Sequence, residues 1–322
     1  MTMAAAAVAD PSEASRIVSN IPTRVISSLS IAEQYYILEG CRDNCRVDGR
    51  SQTSLRPFSL VTSDPLVLSH GSSRILAASS KAEILCSIKA ELVHPSVEAP
   101  THGVVEIHVD IGSDDGDFRK RRLTEQQLEA SLNFLLKDNV VSLSSLCVVP
   151  NHYVWRLHCD FVILRYEGGS IVDIASRALR GALLQTKLPN VVPLSNKGQA
   201  QVDLAVDGDM QKAHTVLQDD DSCPVIVSVA ICKCPPNSTP VLVLDTTLEE
   251  ELCASCIVRL AVTPSGEVVA IQNASGSLPL GLLPQVTAAA VQASKQVFLH
   301  MKTSTVTTSD QETLLQSQFQ IR

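Results

Sequence analysis

Twice along this 322-residue chain, runs with a two-residue apolar period give way to a run with a helical one. That order constrains the fold more than any single motif: strands come first, then a helix broad enough to cover one face of the sheet they form. In the first half the strand-like runs are Leu60, Pro65 to Leu68, Arg74 to Ala78, Ala82 to Ala90 and Val104 to Asp110, and His70-Gly71-Ser72-Ser73 predicts a hairpin turn among them. A helix follows with Leu123, Leu128, Leu132, Leu135 and Leu136 on its apolar side, then strands over 146–149 and 154–166. Gly168-Gly169-Ser170 opens a second helix, whose Ile171, Ile174, Ala175, Ala178, Leu179, Ala182 and Leu183 make a wide stripe. Ser170 is predicted to cap it, with Asp173 completing the capping box.

The second half repeats the order. Strands are predicted over 224–231, 240–244, 254–262 and 268–272, with Pro264-Ser265-Gly266 as a turn. A helix over 282–299 then carries Leu283, Val286, Ala290, Ala293 and Val297 on one side. The reading is an α+β fold with mixed or antiparallel sheets in two units, 29–194 and 223–300. An acidic connection over 195–222 ends in Asp219-Asp220-Asp221, and 301–322 is a loose Thr/Ser/Gln-rich tail. Residues 1–28 read as a disordered tail; Arg16 and Arg24 suit a transit peptide, but Asp10 and Glu13 argue against one. Ser30 and Glu33 predict a capping box for a helix in 29–44 that ends near Gly40 or just after, with Ile31, Tyr35 and Leu38 on one face. Arg46-Val47-Asp48-Gly49-Arg50 follows as a tight polar turn.

Composition narrows the function. With 45% hydrophobic and 19% charged residues the chain is globular in profile, and no apolar run approaches the ~20 residues that cross a bilayer. Ten cysteines are too sparse for a disulfide scaffold, and Cys86, Cys147 and Cys159 sit in apolar stretches. With no basic leader at the start, a reducing compartment is expected. A net charge of −8 is unlike a lone nucleic-acid binder, so any such binding needs a local patch on a larger assembly.

The usual dinucleotide, P-loop, zincin and nucleophile-elbow motifs are missing. Cys232-x-Cys234 and Cys253-x-x-Cys256 invite a zinc reading. A strand entered near Cys253 would turn positions i and i+3 to opposite sides, so buried thiols are the better reading. Glu167-Gly168-Gly169-Ser170 at a helix start is a candidate anion site, but Asp173 occupies that helix end and a plain cap is preferred. Asp245 at a strand end, followed by Glu249-Glu250-Glu251, offers carboxylates for Mg²⁺ or acid catalysis; an acidic loop alone is more often merely solvated. Arg119-Lys120-Arg121-Arg122 is the strongest electrostatic feature. Two readings stand: phosphate binding, or a solvated helix end balanced by Asp114, Asp115 and Asp117. Without interleaved aromatics, base stacking is not indicated.

Taken in order, several of these stretches resemble the exosome ring subunits of the RNase PH superfamily. They are Leu29-Ser30-x-Ala32-Glu33-x-x-Tyr36-Ile37 with Arg46 to Arg50, Asp160 to Leu164 with Gly168-Gly169, Asp173-Ile174-Ala175, and Val243-Leu244-Asp245 with Glu249 to Glu251. The resemblance covers about residues 29–300 and implies two βαβα-type halves with mixed sheets covered by helices. It implies a six-membered ring of RNase PH-like subunits, RNA-binding cap subunits and RNA as the threaded partner; for this chain no membrane partner and no cofactor are expected. It further implies that active members cleave RNA by phosphorolysis. In those members an arginine after Gly-Gly-Ser/Thr cradles the phosphate, and two aspartates six apart support the leaving group and metal. Here the arginine position is Ile171, with Val172 next, and the acidic pair is Asp245 and Glu251. An apolar side chain cannot hold a phosphate dianion, and positioning is most of phosphoryl-transfer catalysis. The expectation is a non-catalytic structural ring subunit with Asp245 and Glu251 as remnants and Arg119, Lys120, Arg121 and Arg122 as RNA contacts. It would help thread RNA for 3′–5′ processing and degradation, rRNA included, in nucleus, nucleolus and cytoplasm. The alternatives are an active phosphate-dependent 3′–5′ exoribonuclease subunit and a binding module unrelated to RNA.

Overall fold

The computed structural model of the chain describes residues 29–62, 68–77, 82–112, 118–166, 169–194, 203–209, 212–217, 223–234, 239–303 and 305–307. The tail over 1–28, all but Leu68 of the strand expected over 65–68, the acidic loop 113–117, Glu167 and Gly168, Asp219 to Asp221 and residues 308–322 lie outside them. Helix α1 (Ile31–Arg42) is followed by β1 (Ser59–Thr62), β2 (Gly71–Ala77), β3 (Ala82–Val93) and β4 (Val104–Ile111). Then come α2 (Phe118–Leu136), β5 (Cys147–Val149), β6 (Tyr153–Arg165) and α3 (Ile171–Gln185). The short strands β7 (Lys187–Leu188), β8 (Val191–Leu194), β9 (Asp203–Val206) and β10 (His214–Thr215) lead to β11 (Val225–Cys232) and β12 (Val241–Leu244). Helix α4 (Leu248–Cys253), β13 (Cys256–Val262), β14 (Val268–Gly276), α5 (Leu283–Thr303) and β15 (Thr305–Thr307) complete the chain. No described helix is long and apolar enough to cross a membrane.

Two larger sheets carry these elements. The first is ordered β15-β1-β2-β3-β6-β4 with β5 beside β6, and it is mixed, because β4–β6 and β1–β15 run parallel. The second, ordered β12-β11-β13-β14, is antiparallel throughout. Alternation fixes the first sheet's inner face: Ile84, Cys86 and Ile88 of β3, Leu157, Cys159 and Phe161 of β6, and Val105 and Ile107 of β4 are all buried. Helices α2 and α3 lie on that face and meet the second sheet on their other side. Helix α5 covers the second sheet's far face through Val286, Ala290 and Ala293. Strand β11 is therefore buried at every position, which its near-continuous apolar run VIVSVAIC reflects.

Helix α3 is the middle of the molecule, buried from Ile171 to Leu183. Its polar groups tie the two sheets together. Asp173 accepts from the Ser228 amide at 2.8 Å and the Ser228 hydroxyl at 2.6 Å, and Ser176 Oγ accepts from the Ile226 amide at 2.9 Å. Arg180 donates to the Cys223 carbonyl at 2.6 Å.

Several local expectations are corrected. Gly71, Ser72 and Ser73 lie inside β2 and not in the turn before it. They are small because α3 packs close: a Cβ on Gly71 would sit 2.3 Å from Thr186 Oγ1, and Ser73 Oγ donates to the Ala178 carbonyl at 2.6 Å. Ser170 makes no side-chain cap and is left-handed at φ 57°, while Asp173 turns across to Ser228 instead of back along its own helix. The connection over 195–222 holds β9, paired with β8, and β10, paired with β7, and the tail's 305–307 pairs with β1. Helix α2 starts at Phe118, so the basic run lies within its first five residues.

Burial pushes the Asp173 carboxyl up to about 6 from an ordinary 3.8, against the pull of Arg177 and the Ser228 hydrogen bonds. Between pH about 4 and about 6 the folded chain thus binds this proton more tightly than the unfolded chain, and the group's contribution to stability is lost as pH rises. Asp173→Asn removes that loss. Urea unfolding of both chains across the window should show the variant gaining on the parent from pH 4 to pH 6; a constant or shrinking difference would contradict the assignment.

Candidate functional site

Asp245 follows directly after β12 in the left-handed region at φ 47°, where its side chain is buried. Arg56 closes on it: Nε and Nη2 donate to Oδ1 at 3.0 and 2.6 Å, and the Arg56 amide donates to Oδ2 at 2.5 Å. Burial raises the Asp245 carboxyl, but the Arg56 hydrogen bonds and charge outweigh it and hold the group below the usual carboxylate range. Arg50 adds Nη2 to the Asp245 carbonyl at 3.0 Å and Nη1 within 3.4 Å of Oδ2. Arg46 donates to the carbonyls of Leu244 and Asp245, both at 3.0 Å, and grips Glu250 in a two-pronged pair through Nε at 2.7 Å and Nη2. The turn from Arg46 to Arg50 is thus a clamp on the end of β12.

Glu249 to Glu251 are not a loop. They belong to α4, which Thr247 and Glu250 start with a capping box. That helix carries Glu251 to the start of α3, where Glu251 Oε1 accepts from the Ser170 amide at 2.7 Å and the Thr246 hydroxyl at 3.1 Å. Gly169 makes the approach possible: a Cβ there would lie 1.9 Å from the Thr246 carbonyl oxygen. Burial raises the Glu251 carboxyl, with the Ser170 hydrogen bond and Arg259 opposing. Ile171, at the position where the resemblance puts an arginine, is buried in the core. Asp245 and Glu251 therefore come to one region, but each is engaged by the chain itself. Neither is in the one three-ligand metal cluster found among the described residues.

The other sequence candidates fall elsewhere. Arg119 is exposed at the start of α2, the Lys120 side chain lies outside the described residues, and Arg121 and Arg122 stand 3.7 and 3.9 Å from Glu125. Both pairs share one buried carboxylate, Glu125, which also accepts from the Ile111 amide at 3.2 Å. Cys232, Cys234 and Cys256 are buried and Cys253 partly so, and they form no metal cluster among the described residues. Burial pushes Cys253 up to about 11.

With this geometry in view, residues 222–293 match the 3′ exoribonuclease family, domain 2. The chain is 25% identical over 290 residues to an exosome complex component Rrp42 of Sulfurisphaera tokodaii, covering 85% of this chain and 94% of the relative. It is 24% identical over 276 residues to exosome complex component RRP45 of Saccharomyces cerevisiae, covering 79% and 83%. Among solved structures, a chain of an archaeal exosome core superposes with a TM-score of 0.62 at 18% identity, covering 84% of this chain and 96% of that one. A chain of the Archaeoglobus fulgidus exosome with RNA bound to the active site gives the same score, covering 82% and 95%.

What sequence reasoning missed is the clamp. Arg46, Arg50 and Arg56 fall within eleven residues that hold one acidic residue, Asp48. That local surplus of charge ahead of a buried strand was the available signal that they pair elsewhere. The Arg46–Glu250 pair is fully buried, so removing one partner strands the other. Arg46→Met should cost about 3–5 kcal/mol in urea unfolding, and Arg46→Met with Glu250→Leu should cost less than the single change. A loss below ~1 kcal/mol for the single change would show that the pair does not seat the turn.

Proposed function

We propose that this chain, RNase PH-like in fold and in sequence, is a structural subunit of the exosome core ring and does not itself carry out phosphorolysis. One observation carries the second half of that reading. The free amide at the start of α3 is taken by the chain's own Glu251 carboxylate, with Ile171 packed into the core behind it. An incoming phosphate dianion would have to displace a buried carboxylate and would find no guanidinium at position 171 to receive it. Asp245, held by Arg56, has no carboxylate oxygen left without a close cationic or amide neighbour. The similarity to exosome components of Sulfurisphaera tokodaii and Saccharomyces cerevisiae supports the first half. In this reading the partners are other RNase PH-like subunits in a six-membered ring, RNA-binding cap subunits and RNA.

The rival reading, an active phosphate-dependent exoribonuclease subunit, is separated by one experiment. The chain is purified from its own cells, its native mass and companions are determined, and phosphate-dependent release of nucleoside diphosphates from RNA is measured. A complex of several hundred kilodaltons holding other RNase PH-like chains is expected, with any phosphorolysis unchanged by Asp245→Asn and Glu251→Gln. A free monomer would overturn the ring assignment, and phosphorolysis abolished by either change in a complex that keeps its mass and companions would overturn the structural role.

The basic run is proposed as an RNA contact. Four cations among the first five residues of α2, with no acid in its first turn, oppose the helix dipole. A phosphate at this end offsets both the repulsion and the dipole. Changing all four to Ala should lower RNA affinity of the assembled complex and flatten its salt dependence by up to ~0.7 for each phosphate no longer neutralised. Unchanged affinity with an intact assembly would reject this role.

A further inference from the structure

The first sheet's outer face, turned away from α2 and α3, is polar, and at its β4–β6 edge two histidines meet two glutamates. Parallel pairing sets Glu106 directly beside His158, with His108 one step along β4. His158 Nε2 lies 3.1 Å from Glu91 Oε1, and His158 Nδ1 lies 3.3 Å from Glu106 Oε2. His108 Nε2 approaches the same Glu106 oxygen at 4.0 Å.

A neutral imidazole has one N–H. With that proton on Nε2, donated to Glu91, Nδ1 presents a lone pair to a carboxylate oxygen. In that tautomer two acceptors face each other at 3.3 Å, a spacing that a bound cation would bridge. The His108 nitrogen turns toward the same point, and the three donor atoms lie within 4.8 Å of one another. Ligands about 2.0–2.2 Å from a tetrahedral ion stand roughly 3.3 Å apart, so the His158–Glu106 spacing already fits. His108 has to close only part of its 4.0 Å separation, and its side chain is 56% exposed and able to turn. The outer carboxylate is also in place: Glu91 on the far nitrogen of His158 makes the carboxylate–histidine arrangement that orients metal-bound imidazoles. Arg156 holds Glu91 Oε1 through Nη1 at 3.1 Å, and its Nε stands 3.5 Å from the other Glu106 oxygen, leaving Oε2 to the ion.

We propose that Glu106, His108 and His158 form a site for a divalent transition-metal ion on the outer face of the first sheet, with Glu91 as a positioning residue for His158. Two imidazoles and one carboxylate suit Zn²⁺, Co²⁺ or Ni²⁺; a hard, all-oxygen set would suit Mg²⁺ or Ca²⁺, and a thiolate set Cu⁺. Three protein ligands leave a position for water or for a group from a partner. The nearby cations Arg156 and Lys89, which lies across from His158, temper the affinity without blocking the ligand atoms. All four residues precede the segment 222–293 that matches the exoribonuclease domain, and none belongs to the Asp245–Glu251 region.

The test uses the full chain, stripped with a chelator and titrated with Co²⁺. One equivalent should bind with the visible bands of nitrogen and oxygen ligation and without the near-ultraviolet band of thiolate ligation, and Zn²⁺ should displace it. Glu91→Gln should weaken Co²⁺ about 10-fold, and His108→Ala and Glu106→Gln should weaken it further. Because His108 is exposed, His108→Ala should melt with the parent when metal is absent, which separates loss of a ligand from loss of fold. No Co²⁺ uptake would overturn the proposal. A thiolate band, or affinity unchanged by His108→Ala, would place the metal on cysteines and overturn it equally.

Discussion

A helix buried on every side carries three charged residues, and the rest of the structure is arranged to meet them. Asp173, Arg177 and Arg180 of α3 are each at most 3% exposed. Such groups are tolerated only with partners, since an unpaired buried charge costs far more than one apolar contact returns. Asp173 takes Ser228 from β11, and Arg180 takes the Cys223 carbonyl and lies over the Phe298 ring of α5 at 4.9 Å. Arg177 stacks on Phe58 at 4.8 Å and feels the charges of Asp245 and Asp173. Apart from Asp173 itself, these partners come from elements outside α3. The helix therefore specifies how the second sheet sits on the first, which apolar packing alone, being non-directional, would leave loosely defined.

The same logic governs the Asp245 region. Arg56, Arg50 and Arg46 precede the first strand, yet they bond to the end of β12 nearly two hundred residues later. Their seating on carbonyls of Leu244 and Asp245 matters as much as the carboxylates. It satisfies backbone acceptors that a strand end otherwise leaves open, and a bidentate guanidinium suits that task better than an ammonium. Glu250 and Glu251 are neighbours on α4 with different attachments: Glu250 faces Arg46, and Glu251 reaches the amide of Ser170. A single short helix thereby links the Arg46 to Arg50 turn to the start of the central helix.

Much of the fold is legible in the residues. The two-residue alternation of β3, β4 and β6 and the apolar stripe of α3 mark their elements, and the capping box expected at Ser30 forms, as does an unforeseen one at Thr247. The misses share a cause. Ser170 with Asp173 is a sound local cap by sequence, but Asp173 finds a better partner in Ser228, which lies 55 residues on and is invisible to local reading. His70 to Ser73 has the composition of a turn, yet Gly71, Ser72 and Ser73 are strand residues made small by the closeness of α3. Glu249 to Glu251 have the pattern of a solvated acidic loop because helix α4 has six residues, too few to show a period. Of the candidate site, Asp245 and Glu251 stand out as residues; their arginine and amide partners do not, because charge pairing across such separations leaves no spacing to detect.

The engaged carboxylates also bear on how a site of this kind changes. Introducing a guanidinium at Ile171 alone would put a charge into packed core while Glu251 still held the Ser170 amide, so the new group would meet no anion but one already satisfied. Removing Glu251 alone would leave that amide without its acceptor and the Thr246 hydroxyl with Ser170 Oγ at 3.3 Å in its place. Each single step from the present arrangement toward an anion-binding one is thus unfavourable, and the gain comes only when both are made together. Interlocked buried polar groups make the arrangement a local minimum. That coupling gives a physical reason for a structural subunit to keep its acidic residues in place while they serve the fold.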